Sequence, residues 1–316
     1  MRKHSAIEEY LISLRDSGKL QEGFILSADQ RERVEKVFLE QNIVKIKKKT
    51  MEDLANSVIK SKEGDLFVLL GFTNKVPQGV QSVMKIAQNV KTGEFCLVKI
   101  ARIEDLNTDG YKKTEAERET VILRNYPKMF IGAQSRTTGS QTYQYKHYNF
   151  IKILPGVCFL ESGINSAPAM QQCEVVLKIL DALQKLNKNK LVHRDIHGEN
   201  ILVDPDTLEV NLIDFGLAVS VDVNGYWEGP SVSDIRGKGP TIRFANGTDV
   251  CALCELPFTD KTLQKIFKSL IPRCIGKRDA RNYILEYNVV DLQPVIEAVI
   301  NYRSSLTDSR YCCTLL

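Results

Sequence analysis

A chain of 316 residues, 43% hydrophobic and 26% charged, has the length for two lobes with a substantial core and the balance of an ordinary soluble globular protein. The formal net charge of +4 is modest, but basic residues cluster at Lys45, Lys47, Lys48 and Lys49 and again at Lys277, Arg278 and Arg281, where they suit phosphates or an anionic membrane. Eight scattered cysteines form no small disulfide-rich framework and follow no secretory leader, so free thiols in a reducing compartment are expected, and no apolar run approaches the ~20 residues that span a bilayer.

From its start the chain reads as helical to about residue 60. Ile7, Leu11 and Leu14 fall on one helical face, and Ser27 with Gln30 forms a capping pattern ahead of residues 31–41, where Val34, Val37 and Phe38 are the apolar positions. From Asp65 the period shortens to strand-like runs at 66–70, 80–86 and 95–100, separated by turn signals at Asn74, Pro77-Gln78-Gly79 and Lys91-Thr92-Gly93. A helix is expected over 115–125, and a strand from Tyr148 running into the Pro155-Gly156 turn. Residues 174–187 line up Val175, Val176, Ile179, Leu180, Leu183 and Leu186 as one amphipathic face. The Gly- and Pro-rich stretch 225–247 reads as a long loop. Cys251 and Cys254 have metal-like spacing, but no second Cys or His pair accompanies them, so a buried helix is expected there. Helices near 261–270, 279–287 and 292–303 complete the chain.

The densest chemistry lies between Leu191 and Ala218. The apolar runs 201–203 and 210–213 are joined through Asp204-Pro205-Asp206, the pattern of a tight hairpin. His193-Arg194-Asp195 and Asn200 precede it and Asp214-Phe215-Gly216 follows, so the hairpin gathers three oxygen-bearing side chains at one edge. That set suits phosphoryl transfer, which needs metal-holding oxygens, a carboxylate for the incoming hydroxyl and close positioning. In this order, with Asp214 fourteen residues after Asn200, the two motifs resemble the catalytic loop and metal-binding motif of the protein-kinase superfamily. The resemblance implies an α+β fold of two lobes, the first β-rich and the second helical and reduced. It implies ATP and Mg2+ or Mn2+ as cofactors, Asp195 as base, and Asn200 and Asp214 as metal ligands, with Asn200 also serving the nucleotide.

By the same resemblance, Lys99 in Cys96-Leu97-Val98-Lys99-Ile100 is the strand lysine that meets the ATP phosphates. Glu119, twenty residues on, is its helical partner, with Glu115 one turn earlier as the substitute. Counting back from Thr92-Gly93-Glu94 places the phosphate loop on 77–83, which brings Gly79 and Ser82 to the nucleotide. Only Gly79 survives there as glycine, which implies weaker gripping, because glycine lets backbone amides approach phosphates closely. Asp249, thirty-five residues past Asp214, resembles the buried helix aspartate that supports the catalytic-loop backbone; a plain helix N-terminal carboxylate is the alternative.

These readings divide the chain into a helical N-terminal extension (1–64), a kinase-like small lobe (65–154), a reduced large lobe (155–308) and a tail (309–316). The leading expectation is ATP-dependent phosphorylation of Ser or Thr in a protein substrate, with no nucleic-acid partner. Two alternatives stand beside it. His197 occupies a position where many protein kinases carry Lys, and the loop therefore also resembles that of aminoglycoside and choline kinases; Pro77 and Ser82 favour a nucleotide-binding pseudokinase scaffold. The degenerate loop, the missing Ala-Pro-Glu segment end and the compact large lobe resemble a divergent effector kinase of the kind that intracellular bacteria such as Legionella deliver into host cells. Cys313-Thr314-Leu315-Leu316 resembles a prenylation box, which would carry the protein from the host cytosol to membranes. The basic clusters are then expected to bind a host polyanion, an inositol polyphosphate or phosphoinositide, as activator.

Overall fold

The computed structural model describes residues 26–47, 51, 56–72, 82–102, 110–125, 137–144, 146–230 and 241–312. They form two compact units, one of the described residues up to Leu154 and one from Pro155 onward.

Among the described residues, the first unit is a seven-stranded antiparallel sheet with two helices. Its strands are β1 (Lys45–Ile46), β2 (Ser57–Lys60), β3 (Leu66–Phe72), β4 (Ser82–Asn89), β5 (Phe95–Arg102), β6 (Thr137–Tyr143) and β7 (Lys146–Lys152). They lie in the order β1-β2-β3-β4-β5-β7-β6. Successive side chains of a strand point to opposite faces, and the apolar residues divide accordingly. Val68 and Leu70 join Val58, Ile86 and Val90 in one cluster, whereas Phe67 and Leu69 join Ile59, Ala87, Val98 and Phe150 in another. Helix α1 (Ala28–Gln41) inserts Val34 and Phe38 into the first of these. Its start is where Ser27 and Gln30 predict it: the Gln30 N–H donates to Ser27 Oγ at 3.2 Å and the Ser27 N–H to Gln30 Oε1 at 2.9 Å. Helix α2 (Gly110–Asn125) packs on β6 and β7 and buries Ile122 and Leu123.

The expectation of an all-helical segment to residue 60 fails after α1. Ile46, Val58 and Ile59 are buried β-branched residues in strands that extend the sheet, so the segment from α1 to β2 belongs to the sheet unit. Residues 1–25, with Ile7, Leu11 and Leu14, lie outside the described residues. Strand β6 was not legible either. Thr137–Tyr143 has no apolar alternation, and it forms an edge strand through its pairing with β7.

The second unit is built on α3 (Ala169–Lys188), whose expected apolar face of Val175, Val176, Ile179, Leu180, Leu183 and Leu186 is buried throughout. Its strands are short: β8 (Val157–Cys158), β9 (Leu191–Val192), β10 (Ile201–Val203), β11 (Val210–Leu212), β12 (Val219–Ser220), β13 (Trp227–Pro230) and β14 (Thr241–Phe244). The β10–β11 hairpin forms as its sequence predicts, and β8 extends it on the other side. Gly156 makes that junction possible: it has φ 112°, and a Cβ there would lie 2.9 Å from the carbonyl of Val203. Helices α4 (Gly247–Cys254), α5 (Lys261–Cys274) and α6 (Gln293–Cys312) complete the unit, with α6 against α3 and α4 against α5. Cys96, Cys158, Cys173, Cys251, Cys254 and Cys274 are free thiols. Cys251 and Cys254 sit on α4, and burial pushes the Cys254 thiol up to about 12. No described helix is long and apolar enough to cross a membrane.

Two local expectations are overturned here. The stretch expected to be a long loop carries β13 and β14, because the aromatic pair Trp227 and Phe244 stands directly opposite across the ladder. The helix expected over 279–287 is instead an irregular hairpin in which Ile275 pairs with Tyr287 and Arg278 with Ile284. Asp279 Oδ1 accepts the N–H groups of Arg281 and Tyr283, both at 2.9 Å, and Asn282 takes φ 65°. A side-chain cap of this kind competes with helical bonding, and the left-handed residue ends it.

Candidate active site

In the second unit the chain leaves β9 at His193 and turns through Arg194, whose φ of 70° lies in the left-handed region. A non-glycine residue persists there only where its surroundings enforce it. Asp249, in the first turn of α4, supplies that enforcement: its carboxylate accepts the His193 N–H and the Arg194 N–H, each at 2.8 Å. The structure thus assigns Asp249 to support of the loop backbone. Burial pushes its pKa up to about 7, while the two N–H bonds and the Arg194 charge pull in the opposite direction.

Asp195 follows this turn, and the Asn200 amide nitrogen donates to both its carbonyl and its Oδ2, each at 2.9 Å. With the nitrogen so engaged, the amide oxygen is the atom Asn200 offers to a cation. Ile213 ties the second motif to the first. Its N–H donates to the Asn200 carbonyl at 2.9 Å, and its carbonyl is 3.0 Å from His193 Nε2. Asp214 comes next, in a left-handed conformation of φ 58°, with Oδ1 accepting the Gly216 N–H at 3.3 Å. The Phe215 ring packs 4.7 Å from the His193 ring. Asp195, Asn200 and Asp214 are therefore held by one interlocked set of bonds. An acidic and an amide oxygen are the donors a hard divalent cation prefers, and Mg2+ keeps several water or phosphate ligands besides.

His197 lies beside Asp195, its Nε2 3.7 Å from Asp195 Oδ2, and its Nδ1 accepts the Glu199 N–H at 3.3 Å.

In the first unit, Lys99 on β5 places Nζ 3.1 Å from Glu119 Oε2 of α2, the pair that the family resemblance implies. The Glu119 side chain is 4% exposed and that of Lys99 17%, so the lysine is the more accessible partner. Beside Glu119, Thr120 Oγ1 is 2.9 Å from His147 Nε2, and Thr142 Oγ1 is 3.0 Å from His147 Nδ1. This chain of bonds joins α2 to β6 and β7 and fixes the helix that carries Glu119. Burial lowers the His147 pKa to about 4, with Lys62 and Arg124 acting in the same direction.

The remaining predicted site residues fare differently. Ser82 opens β4 opposite Ala101, whereas Gly79, Lys48, Lys49 and Cys313 lie outside the described residues. Lys45 is not the exposed cation that polyanion binding requires: its Nζ donates to Tyr148 Oη at 3.1 Å, and burial with the Lys47 charge lowers its pKa. Lys47, Lys277, Arg278 and Arg281 are exposed, Arg281 within 4.0 Å of Asp279. Sequence reasoning missed His147 and the Trp227–Phe244 pair, which carry no local motif; the aromatic residues within a stretch of glycine and proline were the available signal.

A family model described as "Protein kinase domain" matches residues 71–229, half of the chain. Among curated relatives, the chain is similar to the serine/threonine-protein kinase ppk25 of Schizosaccharomyces pombe, 28% identical over 142 residues, 44% of this chain and 32% of that protein. Human cyclin-dependent kinase 10 is 25% identical over 187 residues, 57% of this chain and 49% of that protein. Mouse mitogen-activated protein kinase kinase kinase 1 is 27% identical over 165 residues, 50% of this chain and 10% of that protein. The chain spans half or less of the length of these relatives.

Proposed function

Because this chain belongs to the protein-kinase family, we propose that it transfers the γ-phosphoryl group of ATP to a Ser or Thr hydroxyl of a protein substrate. The observation that carries the proposal is the interlocked set around Ile213, which holds Asp195, Asn200 and Asp214 together. In this reading Asp195 takes the proton of the incoming hydroxyl, and Asn200 orients its carboxylate. Lys99, steadied by Glu119, places positive charge on the nucleotide phosphates. Asp214 and the Asn200 amide oxygen would hold a divalent ion, which when bound neutralises phosphate charge. Incubation with γ-labelled ATP, a divalent metal and a panel of proteins tests this. Label should appear on protein and vanish in Asp195→Asn and Asp214→Asn; wild-type labelling no stronger than that of these variants would sink the reading.

A second reading is favoured by His197, whose ring lies against Asp195 where many protein kinases carry Lys. It directs transfer to a small alcohol of the aminoglycoside or choline type, and label recovered on such compounds in place of protein would select it. Control by an inositol polyphosphate is supported by Lys277 and Arg278, which are exposed and have no ion pair among the described residues. Charge reversal at both should abolish any rise in melting temperature with added inositol polyphosphate. Delivery as an effector and attachment through Cys313 rest on the sequence resemblance, and membrane fractionation of Cys313→Ser tests the second.

A further inference from the structure

Arg194 is a buried cation, 5% exposed, in the residue before the base Asp195. Its guanidinium carbon lies 4.5 Å from the Trp227 ring centre and 4.4 Å from that of Phe244. The two ring centres are 5.7 Å apart. The three groups therefore form a compact triangle, with the cation seated in a notch between the rings. The rings come from directly opposed residues of β13 and β14, and Phe244 is backed by Tyr287, its ring stacked at 5.9 Å. Gly229 is part of the construction: a Cβ there would lie 2.0 Å from Trp227 Cη2, so the indole lies across the glycine, two residues along the same strand face. A cation held desolvated against aromatic faces is attracted by their quadrupoles.

We propose that Trp227 and Phe244 are positioning residues for phosphoryl transfer, holding the Arg194 side chain and through it the left-handed turn that presents Asp195. The inference rests on the proposed kinase activity. Asp249 fixes the two N–H groups of the turn, and the aromatic notch fixes its side chain, so the backbone entering Asp195 is held from both sides. Loss of the notch leaves the Asp249 bonds in place and the fold intact, while Asp195 samples orientations in which it no longer accepts the hydroxyl proton. Lys99 is untouched, so the loss falls on kcat and spares KM for ATP.

The test uses the full chain. Trp227→Ala should lower kcat about tenfold with KM for ATP unchanged, the scale of losing one ring from a desolvated cation–π contact. Trp227→Phe, which keeps a ring, should restore kcat to within about twofold of wild type. Gly229→Ala, whose methyl displaces the indole, should reproduce the Trp227→Ala defect. Trp227 is the chain's single tryptophan, so its emission reports the notch independently of activity, and Arg194→Ala should increase its quenching by acrylamide. A cooperatively melting Trp227→Ala protein with wild-type kcat overturns the proposal. So does a defect spread over kcat and KM that Phe fails to rescue, or quenching unaffected by Arg194→Ala. Wild-type protein with no transfer above Asp195→Asn removes the kinase reading itself and this inference with it; an active wild type with an equally active Trp227→Ala removes the inference alone.

Discussion

The two units carry their functional groups in different ways. Beyond Pro155, Asp195, Asn200 and Asp214 lie within twenty residues of sequence and are joined by hydrogen bonds that run through the Ile213 backbone and the Asn200 side chain. Two of the residues concerned, Arg194 and Asp214, sit in left-handed conformations that the bonds of Asp249 and Gly216 help to hold. Before Leu154 the pair Lys99 and Glu119 comes from a strand and a helix, and its geometry depends on how α2 is tied to the sheet by Thr120, His147 and Thr142. One site is preorganised by the strained backbone of a short segment, the other by the packing of separate elements. Substitutions should expose that difference: in the later unit they should remove chemistry outright or unsettle the fold, and in the earlier one they should weaken chemistry by degrees.

The largest effect is expected at Asp214. Asp214→Asn keeps a residue that tolerates φ 58° and can still accept the Gly216 N–H, so the protein should fold normally, yet phosphoryl transfer should fall about 10³-fold or more. Steady-state kinetics with a melting curve checks both halves of the statement, and substantial residual transfer would show that the carboxylate charge is not what this residue supplies.

Next comes Asp249→Ala. It strands the buried N–H groups of His193 and Arg194, and each unsatisfied donor costs about 1–3 kcal/mol, so urea denaturation should show a loss of about 2–6 kcal/mol along with reduced transfer. A loss within about 0.5 kcal/mol, the scatter of ordinary surface changes, would mean that the turn does not need this carboxylate.

A smaller effect is expected at Glu119→Gln, which preserves shape and removes the charge that steadies Lys99. Transfer efficiency should fall about tenfold with a nearly unchanged denaturation midpoint. A large stability loss instead would make this pair as structural as the Asp249 network and erase the contrast between the units.

The smallest effect is a pH dependence. The folded-state pKa of His147 is lowered from 6.5 to about 4, so between these values the unfolded chain binds the extra proton. Stability from this group is therefore complete above about pH 6.5 and is lost as pH falls toward 4. Other groups, Asp249 among them with the opposite sign, also contribute, so the informative quantity is the difference from His147→Gln. The stability advantage of wild type over that variant should shrink by about 2 kcal/mol between pH 7.5 and 4.5. A constant difference across the range would show that His147 is not buried in its neutral form.

The residues around Asp195 and Asp214 were legible in the sequence because they lie in contiguous chain: two carboxylates and an amide at fixed spacing around a hairpin. The Ser27–Gln30 cap and the buried face of α3 were legible for the same reason, since a cap and a 3.6-residue period are properties of a single segment. Tertiary structure alone decided that Lys45–Ile46, Ser57–Lys60 and Thr137–Tyr143 are strands, because strands this short or this polar are stabilised by the neighbours they pair with. It also decided between two roles for Asp249, and it created the settings of His147 and Arg194. Those settings depend on contacts between residues far apart in sequence, such as Thr120 with His147, 27 positions apart, and His193 with Asp249, 56 positions apart. Such contacts form only when separate elements pack, and no local pattern of residue types encodes which ones will meet.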